Sequence, residues 1–111
     1  MDYNVQLRVK MQDNKWITLG DNHNIPWGVR DLVEASSGWS IINCQTAGTA
    51  SEFIPKLKRG ILELSNHPQS YKNYEIEHGF GTIKEVLAFY ENFLADCEGH
   101  PFTEIFGCIR E

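Results

Sequence analysis

Asn22, His23 and Asn24 stand side by side ahead of Pro26, with Trp16 upstream and Trp27 downstream. Read as a loop at the mouth of a helix, the segment sets two amides and an imidazole beside free backbone N–H donors and partial positive charge. Such a cluster would hold an anionic or amide-bearing small ligand, a nucleotide included, while the indoles, Trp39 among them, pack its apolar part. The plainer reading has Asn24 capping the helix, Asn22 shaping the turn and His23 in solvent.

Other groupings carry less. Cys97, His100 and Cys108 have the right chemistry for zinc, but a structural site takes four ligands and this spacing supplies three at most, so neither a metal nor another cofactor is expected. A Cys–His nucleophile needs hydrogen-bond reach between thiol and base. His23, His67, His78 and His100 all fall in expected loops, and Cys44, Cys97 and Cys108 lie in apolar patterns as reduced core thiols. Glu75 and Glu77 flank Ile76 and read as a solvated pair. Gly79-Phe80-Gly81 lacks the Gly-Lys-Ser/Thr continuation or the spaced third glycine of a phosphate cradle and reads as a tight turn. No catalytic residue is assigned. Tyr71, Tyr74, His78 and Phe80 share one irregular segment, where exposed aromatic side chains would anchor a protein partner; alternatively Tyr71 and Phe80 fold back over the helices.

The 111 residues carry a formal net charge of −5, and residues 82–111 hold Glu85, Glu91, Asp96, Glu98, Glu104 and Glu111 against Lys84 and Arg110. Binding to a phosphate backbone depends on Lys and Arg, so nucleic acid is not an expected partner. An acidic face toward a basic protein is compatible with the composition. Hydrophobic residues at 41% and charged residues at 23% fit one globular domain over 1–111. The Met1-Asp2-Tyr3-Asn4 start and the lack of a long apolar run predict a cytoplasmic protein without a membrane partner.

The elements that must position these residues follow from periodicity. Val5, Leu7, Val9 and Met11 alternate with polar residues, and Lys15 to Leu19 returns after Asp13-Asn14, predicting a hairpin over residues 4–20. The Gly20 to Asn24 segment breaks that pattern. Asn24 and Pro26 predict a helix from about Pro26 to Ser37 with Val29, Leu32 and Val33 inward and Gly38 ending it. Trp39 to Gln45, with Ile41, Ile42 and Cys44, predicts a third strand. A helix is expected to start between Ser51 and Phe53, because Pro55 disfavours an earlier start at the Thr49-to-Glu52 capping box. It would run on Phe53, Leu57, Ile61 and Leu64, with a close neighbour against Gly60. Thr82 and Glu85 predict the cap of the last helix, which carries Ile83, Val86, Leu87, Tyr90, Phe93, Leu94 and Cys97 inward to Gly99 and Pro101. Thr103 to Arg110 closes as a strand flanked by neighbours. The expected fold is α+β in the order β-β-α-β-α-α-β, a single sheet of about four strands with helices packed on one face.

The spacing of Ile54, Pro55, Leu57, Gly60, Leu64, Pro68 and Tyr71, then Gly79-Phe80-Gly81-Thr82, then Phe89, Leu94, Cys97 and Pro101, resembles a set of small uncharacterised bacterial and phage-encoded proteins over about half the chain. Asp21-Asn22-His23-Asn24 matches in part the Asn-x-Thr-His-Asn segment of those proteins, without the threonine. The resemblance implies a fold and a phage or mobile-element setting, with no established reaction. The leading expectation is a non-enzymatic protein-interaction domain, an immunity or anti-defence factor in such a setting. A homodimer is compatible with it. The alternative is a small-molecule or nucleotide-binding domain, hydrolysis included, centred on Asn22, His23 and Asn24.

Overall fold

The computed structural model describes residues 2–40, 44–75 and 82–110, the side chains of Trp27 and Arg110 excepted. Four strands, β1 (Asp2–Lys10), β2 (Trp16–Pro26), β3 (Gln45–Thr49) and β4 (Glu104–Arg110), form one antiparallel sheet in the order β2-β1-β4-β3. Three helices, α1 (Arg30–Ser37), α2 (Ala50–Asn66) and α3 (Ile83–Gly99), join them in the expected order β-β-α-β-α-α-β. Strand periodicity sends Tyr3, Val5, Leu7 and Ile105 to one face, and these are fully buried with the helices' apolar stripes. Asn4, Gln6, Phe106 and Cys108 take the other face and stay half-buried. As expected, β4 is an interior strand, between β1 and β3.

The main departure from the sequence reading lies at residues 20–26. Instead of leaving the sheet, β2 continues to Pro26, because the Gly20-Asp21-Asn22 turn chemistry is absorbed as a bulge. Val5 pairs with His23 and Leu7 with Leu19, so three β2 residues face Gln6 alone. Gly20, at φ +76, supplies the left-handed residue the bulge needs. Asn24 therefore sits inside a strand and caps nothing. A single 3-10 turn, Trp27–Val29, precedes α1, whose N-cap position is Val29 with no side-chain cap. The inward stripe of Val29, Leu32 and Val33 and the left-handed end at Gly38 are as expected.

The third strand is displaced. Trp39 is 1% exposed and belongs to the core, Ile41 and Ile42 lie outside the described residues, and Cys44 turns at φ +54 into a strand that begins at Gln45. Helix α2 starts earlier than expected. The Thr49 hydroxyl accepts the Glu52 N–H, and this cap holds although Pro55, inside the helix, donates no backbone bond. Gly60 has the close neighbour its mid-helix position implied: a Cβ there would lie 2.5 Å from the Tyr90 ring. That ring reaches across so that its hydroxyl meets Ser36 at 2.7 Å and donates to the Val33 carbonyl at 3.2 Å, joining α1 to α3 over α2.

Residues Pro68–Tyr74 form a 3-10 turn rather than an irregular connector. Thr82 caps α3 as expected, accepting the Glu85 N–H, and Glu75 accepts the Ile83 N–H at 3.0 Å. Glu75 is thus half of a helix cap rather than a solvated carboxylate, and the Ile83 N–H chiefly, with Lys72, holds it below its ordinary pKa against the pull of burial. Of the three free thiols only Cys97 is a core residue; Cys44 is exposed and Cys108 half-buried. Among the described residues no helix is long and apolar enough to cross a membrane.

Candidate functional site

Bulging β2 has a chemical consequence, because it turns His23 inward against α3. The imidazole is 8% exposed, with ring centroids 5.1 Å from Phe93 and 6.3 Å from Phe89, and these two rings stack in turn on Trp39. His23 Nε2 stands 2.5 Å from Asp96 Oδ2. An ionised carboxylate only accepts, so Nε2 carries the proton and donates. The Asp21 N–H donates to the same oxygen at 3.1 Å. Burial raises the Asp96 pKa, but the bonds from His23 and Asp21 and the nearby His23 and His100 rings outweigh it, so the carboxyl stays below its ordinary value. Gly20 makes this approach available, since a Cβ there would lie 2.9 Å from the carboxylate.

Around this pair runs an open groove between β2 and α3. One end, of about 640 Å³, is lined by Asp21, Asn22, His23, Asn92, Ala95 and Asp96. The other, of about 360 Å³, adds Asn24, Glu85 and Phe89. Glu85, Phe89, Asn92 and Asp96 recur at three- and four-residue steps, so one helical stripe presents them all. Asp21, Glu85 and Asp96 supply three carboxylates and Asn92 an amide, and among the described residues neither Lys nor Arg lines the groove; Asn24, paired with Asn4, turns its side chain to the opposite sheet face.

Asn22, His23 and Asn24 lie on a strand beside a helix flank rather than at a helix mouth, with His23 turned inward and Asn22 and Asn24 exposed. Residues 22–24 in β2 therefore offer an anionic ligand no helix N-terminus of their own. Trp16 is not in the groove; it lies at the far end of β2 beside Arg8. The Trp27 side chain is not described, and Trp39 is core. Sequence reading missed Asp96, Asn92, Asp21 and Glu85. Their helical spacing was a signal, but only the packing of α3 on β2 gives it meaning.

Among the proposed partner anchors, Tyr71 folds back, half-buried, and its hydroxyl donates to Glu63 at 3.1 Å. Tyr74 remains 42% exposed, while His78 and Phe80 lie outside the described residues. Cys97 is fully buried, and burial with the charges of Asp96 and Glu98 pushes its thiol up to about 12, which leaves no thiolate for nucleophilic attack at neutral pH. Among the described residues no three His, Cys, Asp or Glu side chains gather as metal ligands. Compared with protein-family models, curated proteins and solved structures, the chain shows no match.

Proposed function

We propose that the protein is a non-enzymatic interaction domain whose β2–α3 groove receives a cationic segment of a protein partner. One observation carries this reading: Asp21, Glu85 and Asp96, with the amide of Asn92, border an open groove whose lining, among the described residues, includes no Lys or Arg. An ammonium or guanidinium group finds acceptors there, and the low-dielectric wall of Phe89 and Ala88 concentrates the negative potential. The resemblance to phage-encoded proteins adds a setting, an immunity or anti-defence factor that covers a basic surface of its target.

The experiment is fluorescence anisotropy with a labelled Lys/Arg-rich peptide. D21N/E85Q should weaken binding about tenfold or more, equal to about 1.4 kcal/mol. D31N/E34Q removes the same charge from α1 and should change it less than about threefold. Equal losses in both variants would show charge attraction without a site, and no binding to the parent protein would defeat the proposal.

A second reading has its own observation. Asp96 orients the His23 ring as a carboxylate orients a general base, which favours a small-molecule site able to activate water. Melting shifts against a metabolite panel test it, since a ligand at about 100 times its Kd adds about 2.7 kcal/mol of native stability. An unshifted melt across the panel retires this alternative.

A further inference from the structure

A second concavity, of about 310 Å³, opens on the sheet face away from the helices, lined by Arg8, Lys10, Trp16, Thr49, Phe102 and Glu104. Cross-strand register explains it. Lys10 pairs with Trp16 and Gln6 with Phe106, which puts both rings diagonal to Arg8 on the same face. The Arg8 guanidinium carbon lies 4.0 Å from the Trp16 ring centroid and 3.8 Å from that of Phe106, so the cation is held between two aromatic rings. Its Nε is buried without a hydrogen-bond partner. Glu104 is its direct cross-strand neighbour, yet among the described residues Arg8 makes no ion pair. A guanidinium fixed in orientation and lacking a carboxylate is prepared to take one from outside, because its planar fork matches that geometry.

The rest of the pocket narrows the ligand. Phe102 is 65% exposed and Trp16 is 39% exposed, so both rings at the pocket keep surface open to a ligand. Lys10 adds a second positive charge, its Nζ 5.8 Å from the Trp16 centroid, against the single carboxylate of Glu104. We propose that this pocket binds a small aromatic carboxylate, the acid group on Arg8 and the ring against Trp16 and Phe102. The site is separate from the acidic groove and stands or falls independently of it.

Isothermal titration with 3-phenylpropionate tests the proposal, with 3-phenylpropanamide and inorganic phosphate as comparison ligands. The acid should bind saturably, the neutral amide about tenfold or more weakly, and phosphate without measurable heat. R8Q should abolish binding of the acid. F102A, which alters only an exposed ring, should weaken it while the melting temperature is kept, and D21N/E85Q should leave it unchanged. Equal affinity for acid and amide, full binding by a folded R8Q, or no saturation by the parent protein would overturn the assignment.

Discussion

At the residue scale, Asp96 ties together three parts of the molecule: it accepts from the His23 ring and from the Asp21 backbone, and it fills the space that Gly20 leaves empty. Replacing it with asparagine removes a charge-assisted acceptor and should cost about 2 kcal/mol, read from the urea midpoint near neutral pH. The pH dependence has a definite sign. Because the folded pKa lies below the ordinary one, the stabilisation is complete above the ordinary carboxylate range and disappears as the pH falls through the folded value. The stability gap between the parent protein and D96N should therefore narrow only in acid, below about pH 4. A gap that closed near neutrality would assign the effect to another group. G20A should also disturb His23, since a methyl group at φ +76 is strained and presses on the carboxylate. Of this constellation the sequence made His23 visible, through the polar cluster around it. Asp96 stayed hidden, because a lone acid on an amphipathic helix looks solvated until its neighbour strand is known.

At the element scale, the three helices are joined at one point. Tyr90 lies across Gly60 and bonds to Ser36 and the Val33 carbonyl. G60A would drive a methyl into the ring and should cost about 1 to 3 kcal/mol in the denaturant midpoint. Y90F keeps the ring and should cost about 1 kcal/mol, from the lost hydroxyl bonds alone. If G60A were no worse than a surface substitution, the close approach would be wrong. The Gly60 contact was legible because a glycine inside a strongly amphipathic helix calls for a neighbour. The same reasoning failed at Gly20-Asp21-Asn22, since a bulge uses the residues of a turn and only strand pairing separates the two. Trp39 was misplaced because an indole beside Ile41 and Ile42 has strand character, whereas the stacked rings of Phe89 and Phe93 draw it into the core.

At the scale of the whole molecule, opposite charges occupy opposite faces. Among the described residues the charged groups that border the β2–α3 groove are Asp21, Glu85 and Asp96, while the far side of the sheet holds Arg8 and Lys10 among aromatic rings, with Glu104 beside them. Affinity of the groove for a basic peptide should fall steeply from low to physiological salt, as screening shortens the reach of the field, while an aromatic carboxylate on the clamped Arg8 should lose less. Equal salt slopes at the two sites would contradict this division. The order of strands and helices along the chain and the buried sheet face were readable from periodicity; the order of strands across the sheet and the separation of Trp16 from His23 were not, because the first is set by long-range pairing and the second by which face each side chain takes beyond the bulge. The most direct measurement is a chemical-shift map of the 15N-labelled protein titrated with a Lys/Arg-rich peptide. Shifts should be confined to residues 20–24 and to Glu85, Asn92 and Asp96 on α3, and should be lost in D21N/E85Q. Shifts centred elsewhere, or unchanged in that variant, would contradict the groove assignment.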